Sequence, residues 1–448
     1  MREIPQRQVI FVNKENNIAK QAKNQTIYQI NYEKLRSKLP SNLSETASKY
    51  GVIKRRRKIQ EAPELLVMVM LYATAGLSLR LLSAIASLLG IASVSDEAWR
   101  KKLQRCDAWL SHILNDVLPS SRLSKEETVV ARNLQIEIVD ATNIMQEGKA
   151  GDTVRVHTRY SLPGGNIAEA IVADKHSAES IKHFTIEQGH LYIADKVYGK
   201  GDNFAHVISH NAHALFRITP SHVSLSMDLR GKEKLDMAAR LTETKQDVLD
   251  IPCFIRTTSG NRVPVRVIAS RLPDGKRAKA TKRVKRKASK EQTKNIRTST
   301  FTYAGWVIVI TSLSSDYSPH DILKLYNLRW QIELLFKRIK QFFKLKRLKA
   351  ASMKNSRVIV LTLLILWAIS ERDLYAFERV LIAKKEDMTR YSTWVCAGFF
   401  FHMFKASIMT LVASCYCSAM QYTDNIFFRL QNHRDSRANQ DAYAKFFY

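Results

Sequence analysis

The stretch that most constrains this chain begins at Ser318 and reads SPHDILKLYNLRWQIELLFKRIKQFFKLKRLK. Its pattern predicts one helix over Pro319–Lys349, with Ser318 as N-cap, Pro319 in the first turn and Asp321 as an early carboxylate. At helical spacing, Leu325, Leu328, Ile332, Leu335, Ile339, Phe342 and Phe343 form an apolar stripe broad enough to cover a core. Tyr326, Arg329, Glu333 and Lys340 recur at i, i+3, i+7 and i+14. On a continuous helix they share an arc of about 60°, bordered by Trp330 and Lys337. A lone carboxylate among cations and aromatics is unusual for a plain solvated face. A helix-stabilising Glu333–Lys337 pair is the simpler reading.

Upstream, the hydrophobic period switches from helix to strand. Residues 62–117 read as helices: Ala62–Thr74, a second capped by Ser78 and ending at Leu89, and a third capped by Ser95 and running from Asp96 to Val117. The third carries Arg100, Lys101, Lys102 and Arg105, which suits either a helix-turn-helix or a plain helical bundle. From Leu134 the pattern alternates, with strands over Leu134–Asp140, Val154–Tyr160 and Ile167–Ala173, the last two joined by the turn residues Pro163-Gly164-Gly165. A helix over His176–Gln188, a strand over Leu191–Ala194, a helix over Val197–Ser209 and a strand over Ala214–Ile218 follow. This order predicts an α/β fold, a ribonuclease-H-like mixed sheet with flanking helices. Asp140 and Asp195 then lie at neighbouring strand ends, although each can equally be a turn former. Strand-like runs at Asp250–Thr257 and Val263–Ser270 precede Lys276–Arg297, which holds eleven Lys/Arg and one Glu. That segment reads as part of a β-rich insertion and as a DNA-backbone clamp in preference to a merely solvated loop. Gly305–Ser312 is a further strand, and helical periodicity continues beyond Lys349.

Charge bears on the partner. With 71 Lys+Arg against 41 Asp+Glu, the net charge is +30, and the cations recur along the whole chain. The cluster Lys54–Lys58 adds to this surplus, which points to a polyanion, nucleic acid before a membrane surface. The five cysteines, Cys106, Cys253, Cys396, Cys415 and Cys417, lack metal-site or disulfide rhythm and suit reduced thiols in a cytoplasm. No secretory signal is legible at the start. The apolar runs Val358–Ile369 and Cys396–Met420 read as buried helices, not membrane spans.

The spacing Tyr326-x2-Arg329-x3-Glu333-x6-Lys340 resembles the signature of the DDE transposases of the insertion sequence 4 family. Asp140-Ala-Thr and Ala194-Asp195-Lys-Val-Tyr198 resemble that family's two Asp elements, with Lys196 and Val197 in place of the commoner Arg-Gly. Arg155, His157 and Tyr160 match a further strand motif in which Ser161 replaces the usual Asp, and they receive no catalytic role. The resemblance spans about residues 75–370. It implies that Asp140, Asp195 and Glu333 hold two Mg²⁺ or Mn²⁺ ions. It also implies that Tyr326, Arg329 and Lys340 hold phosphates of double-stranded DNA, as transposon ends and target; Lys337 on the border of the arc is assigned to the same DNA, and Trp330 either stacks on an unpaired base at a distorted end or packs at the rim.

The implied layout is an N-terminal helical DNA-binding region (1–125), a catalytic domain in two parts (126–219 and 305–370) around the β-rich insertion (220–304), and a C-terminal helical region (371–448). The implied activity is metal-dependent cleavage at terminal inverted repeats followed by strand transfer, in a homodimeric synaptic complex at the nucleoid of a prokaryotic cytoplasm. A ribonuclease-H-like nuclease without strand transfer, or a catalytically inactive DNA-binding derivative, are the alternatives.

Overall fold

Cap chemistry sets the first helices. In a computed structural model of the chain, the described residues are 37–53, 59, 61–118, 134–146, 153–162, 166–292, 295–343, 347–348, 352–384, 395–396, 398–403 and 405–409. The cluster at 54–58, the turn at 163–165 and the cysteines 415 and 417 lie outside them. Helices α1 (Leu43–Lys49), α2 (Ala62–Ala75), α3 (Leu79–Leu88), α4 (Asp96–Arg105) and α5 (Asp107–Val117) come first. Ser78 and Ser95 cap α3 and α4 as expected, accepting hydrogen bonds from the Leu81 and Ala98 amides at 3.2 Å each. The helix predicted over 96–117 is two helices, because the Cys106 amide closes onto the Leu103 carbonyl three residues back. On α4, Arg100 and, at 3.9 Å, Lys101 pair with Glu97 and Lys102 donates to the Val52 carbonyl at 2.8 Å, so three of its four cations are engaged within the protein.

Alternation then builds a mixed sheet. Strands β1 (Ile136–Gln146), β2 (Thr153–Leu162), β3 (Asn166–Asp174) and β4 (Leu191–Ala194) lead to helix α6 (Gly201–Ser209) and β5 (His213–Arg217). After them come β6 (Leu225–Ser226), α7 (Met237–Glu243), β7 (Val248–Arg256), β8 (Arg262–Arg271), α8 (Asp274–Lys290), α9 (Thr298–Ala304) and β9 (Trp306–Thr311). The chain continues through α10 (Pro319–Asn327), α11 (Trp330–Phe342), β10 (Arg347–Leu348) and α12 (Met353–Ala383). The sheet order is β3-β2-β1-β4-β5-β9-β8-β7-β6, with β10 paired to the end of β1. β1, β4 and β5 run parallel, whereas β9, β8 and β7 continue from β5 antiparallel. Both long strands of the 220–304 stretch therefore extend the main sheet. Beside them, most of the basic run is the helix α8, which buries no side chain.

The segment predicted as a helix over His176–Gln188 is instead a turn and a single 3₁₀ turn, Ile181–His183. Likewise the helix predicted from Val197 begins only at Gly201, because the residues after Asp195 are used in a turn.

The described residues divide into two compact units. One lies within Met1–Leu118, Met145–Val154 and Gln341–Tyr448, the other within Pro119–Ile144 and Arg155–Lys340. In the first, α12 is tied to α5 by Arg357, whose guanidinium meets the Asp107 carboxylate at 3.0 and 3.1 Å. The Trp109 indole donates to the Thr46 hydroxyl at 3.0 Å, and Trp367 stacks on Phe342 with centroids 5.8 Å apart. α12 continues unbroken past residue 370, and no described helix is long and apolar enough to cross a membrane. In the second unit, the core is made by one face of the sheet. Phe204 of α6 meets Phe216 of β5 edge-on at 6.0 Å, among Val139, Tyr192, Ile255, Val267 and Ile310.

Candidate active site

Two parallel strands bring the first two carboxylates together. The apolar run of β1 pairs with β4 in a register that sets Val139 opposite Ala194. The next residues are Asp140 and Asp195, on strands about 4.8 Å apart. Asp140 does not end its strand as predicted, since β1 continues to Gln146. It is the first residue beyond the paired stretch, and its Oδ1 accepts the Ala141 amide at 2.8 Å. Asp195 leaves β4 into a tight turn, with Oδ1 accepting the Val197 amide at 2.7 Å.

The helical side of the site departs from expectation. The predicted single helix is α10 and α11, joined at Leu328–Arg329 by i→i−3 hydrogen bonds: Leu328 to Leu325 at 3.0 Å and Arg329 to Tyr326 at 3.1 Å. No Gly or Pro stands at the junction. Ser318 caps α10 as expected, accepting from the Asp321 amide at 3.2 Å. The tighter turn resets the helical phase, so the arc drawn across Tyr326, Arg329, Glu333 and Lys340 holds only within each half. α11 buries Ile332, Leu335, Phe336 and Ile339, which leaves Glu333 and Lys340 on its other sides.

Arg329, at the joint, links the two sides. Its Nη2 donates to Glu333 Oε1, and its Nη1 lies 3.9 Å from Asp140 Oδ2. Its guanidinium also sits 5.9 Å from the centre of the Tyr326 ring. Tyr326 is buried, and burial raises its pKa, opposed by the positive charges of Arg329 and Arg217. Burial lowers the pKa of Lys340, and the Asp140 charge opposes that shift. Asp140, Asp195, Tyr326, Arg329, Glu333 and Lys340 thus share one electrostatic neighbourhood. Trp330, 57% exposed, and the exposed Lys337 make no contact with the carboxylates among the described residues.

A fourth carboxylate belongs to this neighbourhood and was not singled out from the sequence. Glu179, on the connection from β3 to β4, faces the charge of Asp195 and lies 3.8 Å from Arg155. Burial pushes the Asp140 pKa up to about 7; the Ala141 amide and Arg329 oppose this, while Asp195 and Glu179 add to it. Tyr198, fully buried, has its pKa raised by burial and then by Asp140, Glu179 and Asp195. Its hydroxyl has no hydrogen-bond partner among the described residues. The Arg155/His157 motif is structural: Arg155 donates to the Ser177 carbonyl at 2.7 Å, and His157 meets the Ser177 hydroxyl at 3.1 Å. Burial, then His183 and Arg155, holds the His157 pKa down to about 4. These contacts anchor the connection that carries Glu179. No local pattern marks Glu179, because its neighbours reach it only through the fold.

Among the described residues, no three His, Cys, Asp or Glu side chains are close enough as they stand to hold one metal ion. The donor chemistry still fits a hard divalent cation. The carboxylates supply oxygen only, burial with the added charges of Asp195 and Glu179 keeps Asp140 hard to ionise, and the buried Tyr198 hydroxyl beside them has no hydrogen-bond partner among the described residues.

Residues 132–369 match the family model described as "Transposase DDE domain". The chain is 27% identical over 319 residues to InsL, the transposase assigned to insertion sequence element IS186A of Escherichia coli strain K12. It is also 27% identical over 320 residues to the transposase for insertion sequence element IS421 of Escherichia coli. Each alignment covers 69% of this chain and 84% of the relative. Among solved structures, a cryo-EM structure of the piggyBac transposase synaptic complex with hairpin DNA aligns with 92% of this chain and 86% of its own, at 8% identity and a TM-score of 0.41.

Proposed function

The chain belongs to the transposase DDE domain family, and from that premise we propose that it moves an insertion sequence of the insertion sequence 4 kind. The reaction is cleavage at the element's terminal inverted repeats and joining of the freed 3′-hydroxyl to target DNA. The observation that carries this reading is Arg329, which ties Glu333 of α11 to Asp140, while the β1–β4 register sets Asp140 beside Asp195. The sheet order β3-β2-β1-β4-β5 supports a ribonuclease-H-like frame for the three carboxylates.

In this reading Asp140, Asp195 and Glu333 hold Mg²⁺ or Mn²⁺. When bound, two such ions activate the attacking oxygen and stabilise the leaving one. The protein's own groups bring the DNA in. Arg329 grips a phosphate with its planar fork and Lys340 adds a point charge, while the buried Tyr326 packs beside the Arg329 guanidinium and positions it. Without DNA, Arg329 neutralises Glu333 and part of Asp140; a phosphate offers it a competing partner and frees carboxylate oxygens for the ions. Lys337 meets the backbone further out, and the exposed Trp330 stacks on an unpaired base at a distorted end. The helices within 1–125 form a further DNA contact, and a homodimer pairs the two ends for concerted cutting.

The test uses the full-length protein with pre-cleaved terminal DNA, target plasmid and Mg²⁺. Joined products are expected, and Asp140→Ala, Asp195→Ala and Glu333→Ala each abolish them. Cleavage without joining would assign the protein to nucleases. Unchanged activity in all three variants would remove the carboxylates from the chemistry. Short inverted repeats flanking the coding region, bracketed by a direct duplication, are the genomic counterpart of the same expectation.

A further inference from the structure

A second cationic feature lies in the same unit as the carboxylates but is absent from the Tyr-Arg-Glu-Lys signature. Between the loop after β4, the start of α6, the end of β7 and α8 runs an open cleft of about 770 Å³. Lys196, Lys200, Arg256 and Lys287 line it from three different parts of the chain, and all four are exposed. Among the described residues, neither Lys196 nor Arg256 has an ion pair, and Lys287 meets only the exposed Glu291, at 3.7 Å. The single carboxylate on the wall, Asp202, is engaged by the Thr258 amide at 2.9 Å and hydroxyl at 2.8 Å. Those bonds fasten the first turn of α6 to the β7–β8 turn, so the walls are pinned to one another by the fold.

Two glycines allow this close assembly. A Cβ at Gly199 would lie 2.1 Å from the Arg217 carbonyl oxygen, and one at Gly201 would lie 2.1 Å from that of Arg256. Only glycine lets the loop carrying Lys196 and Lys200 lie flat against the ends of β5 and β7. Lys196, on the cleft wall, directly follows Asp195 in the chain. On another part of the wall, α8 presents nine Lys/Arg against one Asp, with none of its residues buried.

We infer that this cleft is a track for the phosphodiester backbone of duplex DNA, leading from α8 past Arg256 and Lys200 to Asp195. This inference rests on the proposed transposase reading and deepens it: the Tyr326/Arg329/Lys340 group holds DNA at the reacting phosphate, and the track holds the duplex that flanks it. The occupant is argued from charge. Four cations converge on a wall whose only carboxylate is already hydrogen-bonded, a surface that repels cationic partners and attracts an extended polyanion.

The test compares two triple variants of the full chain with equal loss of charge. Lys200→Gln/Arg256→Gln/Lys287→Gln removes three of the track's four cations and leaves Lys196 beside Asp195 untouched. Arg230→Gln/Lys232→Gln/Lys234→Gln removes three exposed cations from the loop after β6. Binding to a short duplex of arbitrary sequence is measured against salt without divalent ions. Each lost phosphate contact lowers the log–log salt slope by about 0.9, so the track variant loses about 2.7. Over a fourfold rise in salt, wild-type binding therefore weakens about 40-fold more than that of the track variant. The control triple changes the slope by less than about one contact. Equal changes in both triples, or an unchanged slope in the track variant, would overturn the inference. So would a loss confined to duplex RNA. Because the assay needs no cleavage, a protein that binds through the track yet joins no ends sinks the catalytic reading alone. One that joins ends with an intact slope in the track variant sinks the track alone.

Discussion

Asp140→Asn should make the metal-free protein more stable at neutral and alkaline pH, against the usual expectation that an active-site substitution does harm. Burial raises the Asp140 pKa from 3.8 to about 7, and Asp195 and Glu179 add to the effect. Below pH 4 the side chain is protonated in folded and unfolded chains alike, and no penalty exists. As pH rises from about 4, the unfolded chain gives up its proton while the folded one keeps it. Folding stability therefore falls until the folded group itself ionises near pH 7, and the penalty is constant above that. A carboxyl moved from 3.8 to about 7 carries a penalty of about 4 kcal/mol once ionised. Asparagine removes the penalty, and its amide oxygen keeps the Ala141 hydrogen bond. Urea unfolding of wild type and variant, without divalent ions, should show a stability difference under about 1 kcal/mol at pH 4 that grows to about 4 kcal/mol at pH 8. Added Mg²⁺ should then raise the stability of the wild type at pH 8 and leave the variant unmoved. A pH-independent difference, or a variant less stable than wild type at pH 8, would refute the claim that burial holds the Asp140 carboxyl protonated up to about pH 7.

The other buried charge cluster should respond in the opposite sense. Arg159 lies 2.7 Å from Glu187 and 3.4 Å from each of Glu137 and Glu169. Glu137 is fully buried, with the Ser161 hydroxyl at 2.9 Å and His190 at 3.2 Å as its other partners. Arg159→Met should cost about 3–5 kcal/mol in urea unfolding by leaving that carboxylate uncompensated, and adding Glu137→Gln should recover much of it. Gly199→Ala must displace backbone, because its Cβ would lie 2.1 Å from the Arg217 carbonyl oxygen. It should lower the thermal midpoint and, by moving Lys200, reduce the salt slope of DNA binding, whereas Gly275→Ala, with open space around it, should do neither.

Much of this protein follows from residues acting on their immediate neighbours. A short continuous apolar run placed Leu191–Ala194 at the observed strand bounds, and the serines at 78, 95 and 318 cap the helices they were expected to cap. A strand's period and a cap's hydrogen bond span only a few residues, so they are written in the local sequence. The order of these elements predicted a ribonuclease-H-like sheet, and that topology assigned Asp140 and Asp195 to neighbouring strands before any coordinates. What the tertiary structure decided concerns groups far apart in the chain. The break at Leu328–Arg329 has no Gly or Pro to announce it, yet it puts the guanidinium between Asp140 and Glu333. Glu179 shows no periodic or capping signal and matters only because the β3–β4 connection is anchored by Arg155 and His157 of β2. The basic run 276–297, read as a clamp on an insertion, gained its setting when β7 and β8 joined the main sheet through β9, which set Lys287 of α8 in one cleft with Arg256 at the end of β7. Coulomb interaction depends on distance in space and not on separation along the chain, so electrostatic partners stay hidden until the sheet and its connections are formed.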